Sequence, residues 1–182
     1  MRCFVAVPIG EELRAALADA VADWRELEGL RSTDPASWHV TLAFLGSVDA
    51  AEISRLEVLI GDVAAHNAPM QLRTGGLGAF PSAGRARVLW YGIADPDGSM
   101  AALSADLHAA LGMEVATAYR PHLTLARARR QALDLRGWLA HASAPEGDLV
   151  VDRLELMRSH LGQGPARYEA LSSAVLGLPA HV

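Results

Sequence analysis

The chain has 182 residues, of which 51% are hydrophobic, and its formal net charge at pH 7 is -5. This length and hydrophobic content are enough for one substantial core. The negative charge argues against a protein that grips long nucleic acid through many phosphate contacts, whereas a ligand with one or two phosphates fits it. All 16 basic residues are arginine, whose planar guanidinium can bind two phosphate oxygens at once.

The sequence carries no sign of membrane insertion or export. No stretch of about 18 apolar residues runs without a charge or a glycine, and the apolar start is interrupted at Pro8, too early for a signal peptide. The single cysteine, Cys3, has no partner for an internal disulfide. We therefore expect a cytoplasmic protein without a membrane partner.

Hydrophobic periodicity and turn residues predict short strands that alternate with amphipathic helices. The predicted strands are residues 3–8, 38–45, 70–74, 88–93, 122–126, 149–157 and 167–173, and the predicted helices are residues 11–27, 50–65, 99–111 and 133–140. The glycine cluster at residues 75–78 lacks the spacing of a dinucleotide-binding loop. It is predicted to be a bend or bulge in a strand.

These elements repeat along the chain. Each half has a strand, a helix and then a strand with the motif His-x-Thr-Leu, at residues 39–42 and at residues 122–125. We expect a single α+β domain over residues 1–182, with two pseudo-symmetric lobes of approximately residues 1–80 and 81–182. Each lobe would hold an antiparallel or mixed sheet with outer helices, and the two motif strands would face a central cleft.

The repeated motif carries groups suited to acid–base chemistry. Residues two apart in a strand point to the same side, so His39 shares a face with Thr41, and His122 shares one with Thr124. Histidine has an unperturbed pKa of about 6.5, so one ring of a close pair can be neutral while the other is protonated. The neutral ring can take a proton from water, and the charged ring can give one to a leaving alkoxide. Such a pair suits hydrolysis of a cyclic phosphodiester without a metal.

Arg127 lies five residues after His122 and could neutralise a phosphate. Strict strand alternation would turn it to the opposite face, so the strand must end or bulge near Ala126 for Arg127 to take part. For one copy of the motif, a solvated strand face would be the simpler interpretation, but two copies at matched places favour a site. Two histidines are too few ligands for a tight zinc site, so we expect no metal and no other cofactor.

The chain resembles the RNA 2′,3′-cyclic phosphodiesterases of the two-histidine phosphoesterase superfamily, which are also described as 2′-5′ RNA ligases. The similar segments are residues 2–8, 38–46, 76–81, 88–90 and 120–127. The resemblance implies a bilobal α+β fold and metal-independent opening of RNA 2′,3′-cyclic phosphate ends to 2′-phosphates, with 2′-5′ ligation as the reverse type of step. By the family's assignment, His39 is the proton donor and His122 the proton acceptor, while Thr41, Thr124 and Arg127 hold the phosphate.

The expected partners are RNA 3′ ends or small cyclic nucleotides, and the expected oligomeric state is a monomer. Three alternatives stay open: an enzyme for small cyclic nucleotides or 2′-5′ oligonucleotides, a module that binds RNA ends without turnover, and a metal-dependent phosphodiesterase. Ser159 and Tyr168 belong to a late family pattern and could line the cleft. Phe80 and Trp38 are expected to pack in the core rather than to stack on a base.

Overall fold

The computed structural model describes residues 1–22, 27–115, 118–160 and 166–177. Within these ranges the chain forms nine strands and four α-helices. The strands are β1 (Arg2–Pro8), β2 (Leu30–Ser32), β3 (His39–Ser47), β4 (Met70–Phe80), β5 (Val88–Ile93), β6 (His122–Ala128), β7 (Gly147–Val151), β8 (Arg153–His160) and β9 (Arg167–Val175). The helices are α1 (Glu11–Ala22), α2 (Ile53–His66), α3 (Ser99–Ala110) and α4 (Arg136–Leu139).

All of these strands join one antiparallel sheet in the order β7-β4-β5-β6-β3-β1-β8-β9, and β2 pairs separately with β6. At the middle of the sheet, β3 and β6 are joined by a single residue pair, Val40 and Leu123. The sheet therefore divides at this junction into two lobes. The predicted α+β fold with two lobes around a central cleft is confirmed.

The strand pairing crosses between the two halves of the sequence. β4 pairs with β5 and β7, and β8 pairs with β1, so each lobe contains strands from both halves of the chain. The division of a single domain over residues 1–182 into lobes near residue 80 stays a prediction.

One face of the sheet is covered by helices. The main hydrophobic core joins buried residues of α1, α2 and α3 to alternate residues of the central strands, among them Val5, Val40, Leu42, Leu123 and Leu125. Burial of these apolar side chains on one face is what holds the helices against the sheet. The residues between them, including both histidines of the motifs, therefore point to the other face.

Two local predictions differ from the structure, and the first is the helix over residues 133–140, which is observed only as the shorter α4. The predicted strand over residues 149–157 is wrong: it is two strands, β7 and β8, which break at Asp152 and lie in different lobes. No glycine or proline marks this break, so the apolar run resembles one strand. The short strand β2 was not predicted. The predicted helix over residues 11–27 is observed as α1 up to Ala22, and residues 23–26 lie outside the described part of the chain.

The glycine cluster is a bulge within β4, as predicted. Thr74 pairs with Ile93 and Leu77 pairs with Tyr91, so Gly75 and Gly76 together face one residue of β5. Gly76 has a φ of +73°, a backbone conformation that residues other than glycine rarely adopt. Gly78 lies against the ring of Trp90, with no room for a Cβ atom. The glycines therefore let β4 approach β5 closely enough to cover Trp90.

We expect Gly78→Ala to lower the free energy of unfolding by about 1–3 kcal/mol, because the added methyl group overlaps the Trp90 ring and the strand must move. Urea denaturation measures this change. The matched control is Gly61→Ala in α2, where nothing lies within 4 Å of the added Cβ. The control should raise stability by up to about 1 kcal/mol. Equal stability of both variants would contradict the close approach of Gly78 to Trp90.

Candidate active site

The two motif strands bring their polar residues together at the centre of the open face. Val40 of β3 is paired with Leu123 of β6, and both side chains are buried on the helix side. In an antiparallel ladder, extending this register by one residue places His39 beside Thr124 and Thr41 beside His122. The four predicted site residues of the two motifs therefore form one cluster.

Matched bulges interrupt both motif strands just after the threonines. Leu42 lies opposite no residue of β1, because Val5 pairs with Ala43 and Ala6 with Thr41. Leu125 lies opposite no residue of β5 in the same way, and the two leucines are 83 positions apart, as are the two histidines. A bulge reverses the alternation of side chains beyond it.

The second bulge turns Arg127 back to the face of His122 and Thr124, as the sequence required. Leu125 and Ala126 are consecutive buried residues, and Arg127 after them is exposed and lines the same cavity as the histidines. The position that corresponds to Arg127 in β3 is Phe44, whose side chain is 69% exposed. The two halves of the cluster therefore differ in charge at this position.

Each imidazole is oriented by a backbone carbonyl two residues earlier in the chain. His39 Nδ1 is 2.7 Å from the Ser37 carbonyl oxygen, and His122 Nδ1 is 2.7 Å from the Arg120 carbonyl oxygen. A carbonyl oxygen only accepts, so Nδ1 carries the proton in both rings. This leaves Nε2 of each ring available for proton transfer.

Aromatic side chains hold both imidazoles in place. The Phe4 ring is stacked on His39 with centroids 4.7 Å apart, and Tyr168 meets His39 edge-on at 5.0 Å. On the other side, Phe80 meets His122 edge-on at 4.9 Å. These contacts restrict the orientation of the rings and shield them from water.

All five predicted site residues line one cavity of about 540 Å³. Its described lining includes two guanidinium groups, from Arg2 and Arg127, and contains no carboxylate. Ser159 and Tyr168 also line it, in agreement with the late family pattern. The cavity is therefore suited to an anion of nucleotide size.

Burial and positive charge keep both imidazoles neutral in the free protein. The pKa of His39 is lowered to about 4, mainly by burial and in addition by the positive charge of Arg127, while the bond to the Ser37 carbonyl acts in the opposite direction. The pKa of His122 is also lowered, mainly by burial and in addition by Arg127 and Arg120. The two rings are thus sensitive to any negative charge that enters between them.

Sequence reasoning missed the side chain that supports the junction of the motif strands. Thr33 Oγ1 bonds the Thr124 and Leu125 carbonyl oxygens at 2.8 and 2.9 Å, and it accepts a hydrogen bond from Trp38 Nε1 at 2.8 Å. Thr33 therefore fills the gap where β3 diverges from β6. No local pattern indicates the two carbonyl contacts, since these carbonyls are about 90 residues away.

The aromatic predictions have mixed outcomes. Trp38 is 4% exposed and belongs to the main core, as expected. Phe80 belongs to neither buried core cluster and lies beside His122 in the cavity, so its predicted place in the core is wrong. Phe4 and Phe44 line the same cavity and were not singled out from the sequence.

The part of the chain that the structure describes shows neither a cluster of metal ligands nor a helix that could span a membrane. No group of three or more histidine, cysteine, aspartate or glutamate side chains is placed to hold a metal ion. None of the helices described is long and apolar enough to span a membrane.

Known proteins are similar to this chain in sequence and in fold. The sequence model of the 2′-5′ RNA ligase superfamily matches residues 13–163. An RNA 2′,3′-cyclic phosphodiesterase of Archaeoglobus fulgidus is 29% identical over 165 residues, which cover 88% of this chain and 92% of the relative. One of Thermus thermophilus is 35% identical over 141 residues, covering 72% and 71%. The crystal structure of the Thermus thermophilus protein TT0787 superposes with a TM-score of 0.81 at 28% identity and covers both chains completely.

The family match covers most of the chain, and it includes both His-x-Thr motifs and Arg127. The relatives match over nearly their whole length or over more than two thirds of it. The chain therefore belongs to the 2′-5′ RNA ligase superfamily and, within it, to the RNA 2′,3′-cyclic phosphodiesterases.

Proposed function

We propose that this protein hydrolyses the 2′,3′-cyclic phosphate ends of RNA to 2′-phosphomonoesters without a metal ion. The observation that carries the proposal is the pair of imidazoles with Nδ1 bound to a carbonyl and Nε2 left free, in one cavity with Arg127. The curated relatives named RNA 2′,3′-cyclic phosphodiesterase support the substrate.

In the proposed reaction, His122 takes a proton from water while the water oxygen bonds to phosphorus. The bond from phosphorus to the 3′ oxygen breaks, and His39 donates its Nε2 proton to that oxygen. Thr41 and Thr124 donate hydroxyl hydrogen bonds to the phosphate, and Arg127 balances its charge. The two imidazoles supply both proton transfers, so the scheme needs no metal-bound hydroxide. A 5′-hydroxyl of a second RNA in place of water would give a 2′-5′ linkage.

The donor must be protonated before it can act, and binding of the substrate provides for this. In the free protein the pKa of His39 is about 4, so the ring is neutral at pH 7. A phosphodiester brings negative charge beside both rings and offsets the field of Arg127, which raises their pKa values. The Ser37 carbonyl also favours the charged form of His39. Substrate binding and protonation of the donor are therefore coupled.

The remaining expectations concern compartment and assembly. Cys3 is buried in β1 as a free thiol, which suits a reducing compartment, and we place the activity in the cytoplasm. Both motif histidines come from one chain, so a monomer can supply the whole proposed site.

The decisive experiment incubates the purified protein with an RNA oligonucleotide that ends in a 2′,3′-cyclic phosphate, in EDTA, and separates the product isomers by chromatography. We expect full activity in EDTA and only the 2′-monoester. Accumulation of the 3′-monoester would contradict the assignment of the leaving oxygen. Activity that EDTA abolishes and a divalent metal restores would instead support a metal-dependent phosphodiesterase. Parallel assays with small cyclic nucleotides and 2′-5′ oligonucleotides test the other substrates.

Replacement of either motif histidine should abolish turnover while the fold is kept. We expect His39→Ala and His122→Ala each to lower kcat by about 10²–10⁴-fold, since each removes one proton transfer. Circular dichroism and thermal unfolding check the fold. The control is His66→Ala in α2, whose Nδ1 bonds the Asp62 carbonyl in the same way but lies far from the cavity. If the wild type and all three variants bind RNA ends but form no product, the protein is a binding module and the proposed function is wrong.

Substitution of Arg127 should shift the pH dependence of catalysis. The guanidinium lowers the pKa of both imidazoles, so Arg127→Gln should raise both and move the kcat/KM profile to higher pH. The rate should also fall, because a phosphate contact is lost. Arg55→Gln in α2 removes the same charge on the outer helices and should leave the profile in place. A lower rate with an unshifted profile would contradict the electrostatic role of Arg127.

The neutral state of His39 should appear in the stability of the free protein. Its pKa is about 4 when folded and about 6.5 when unfolded, so the unfolded chain binds the proton first as the pH falls. The stability that comes from keeping His39 neutral is complete above pH 6.5 and is lost as the pH falls from 6.5 to 4. When the pH is lowered from 7 to 5, the free energy of unfolding should fall less in His39→Gln than in wild type, by about 2 kcal/mol. Urea denaturation at the two pH values measures both changes. Equal losses would contradict the lowered pKa.

A further inference from the structure

A second arginine lies directly beside Arg127. In the antiparallel pairing of β2 with β6, Arg31 faces Arg127, between the pairs Leu30–Ala128 and Ser32–Ala126. Directly opposite residues of an antiparallel ladder point to the same side of the sheet. Arg127 lines the cavity, and Leu30 packs in a separate buried cluster with Leu89 and Ala126, so Arg31 shares the cavity side with Arg127. Arg31 lies just outside the lining of the cavity, next to its Arg127 edge.

Like charges placed directly opposite each other across two strands destabilise a sheet. In the described part of the chain, the side chains of Arg31 and Arg127 form no ion pair or hydrogen bond, and the residue on the other flank of Arg127 is Val88. Other arginines of the protein do have carboxylate partners, as Arg73 has Glu146 and Asp148. An arrangement that leaves two adjacent guanidiniums without a carboxylate suits the binding of an external anion.

The charge of this pair exceeds what a single reacting phosphate requires. One phosphodiester between the two imidazoles carries one negative charge, which Arg127 alone can balance. A nucleoside 2′,3′-cyclic phosphate has no further phosphate, whereas an RNA end has a second one on the 5′ side of its last ribose. That second phosphate would meet Arg31 if the chain leaves the cavity past Arg127.

We propose that Arg31, next to Arg127, binds the phosphate on the 5′ side of the terminal nucleotide while Arg127 holds the reacting phosphate, so that the enzyme prefers RNA ends to mononucleotides. This inference rests on the proposed function, since it places the reacting phosphate between His39 and His122. Arg31 is then a determinant of substrate length. It touches the substrate away from the reacting atoms and takes no part in proton transfer.

The test compares wild type, Arg31→Gln and Arg31→Lys on a dinucleotide with a 2′,3′-cyclic phosphate end and on the corresponding nucleoside 2′,3′-cyclic phosphate. We expect Arg31→Gln to lower the dinucleotide-over-mononucleotide ratio of kcat/KM by about 10-fold, because one charge-assisted contact is lost. Arg31→Lys should restore part of the ratio. The slope of log kcat/KM against log salt for the dinucleotide should become shallower by about 0.7 in Arg31→Gln. Arg55→Gln, an exposed arginine of α2 with the same loss of charge, should leave the ratio unchanged.

An unchanged ratio in Arg31→Gln would overturn the proposal, and so would an equal fall on both substrates, which would place Arg31 on the reacting phosphate. Binding of the 2′-phosphorylated dinucleotide and of the nucleoside 2′-monophosphate, measured by calorimetry, separates this proposal from the catalytic one. If wild type hydrolyses neither substrate, the proposed function fails. The role of Arg31 is then still supported if Arg31→Gln loses the preference of wild type for binding the dinucleotide. It is contradicted if Arg31→Gln keeps this preference.

Discussion

One residue pair, Val40 with Leu123, sets the geometry on which the proposed chemistry depends. Because β3 and β6 meet there in antiparallel register, each histidine comes to lie beside the threonine of the other motif. Beyond this pair the strands diverge, and Thr33 bonds the carbonyls that the divergence leaves open. Further pairing between β3 and β6 would close the space that a phosphate needs, and loss of the Val40–Leu123 pair would separate the two imidazoles.

The electrostatics of the cavity make the two rings respond to a ligand. Burial, Arg127 and the absence of a carboxylate among the described lining residues all favour neutral imidazole. In the proposed mechanism a bound phosphodiester offsets the field of Arg127, so the charged form of one ring becomes more accessible when substrate is present. The carbonyl bond at each Nδ1 directs the added proton to Nε2, where it can be transferred. Orientation and charge therefore act together in the proposed mechanism.

Sequence reasoning could predict the features that follow from local pattern. The alternation in His-x-Thr placed each histidine with its threonine, and the glycine cluster indicated the bulge of β4. The pairing of β2 with β6 and the stacking of Phe4 on His39 could not be predicted, because they join residues far apart in sequence and leave no local signal. Arg127 is an intermediate case: alternation showed that a bulge was needed, but an ordinary leucine occupies it.

The matched bulges at Leu42 and Leu125 have an evolutionary consequence. A bulge is an inserted residue that families retain, and two independent insertions at corresponding places are less economical than one that was copied. Duplication of an ancestral segment accounts for both bulges, both motifs and both carbonyl-bound imidazoles at once. The ancestor would then have worked as a symmetric pair, and the divergence of Phe44 from Arg127 made the two halves of the descendant's cavity chemically unequal.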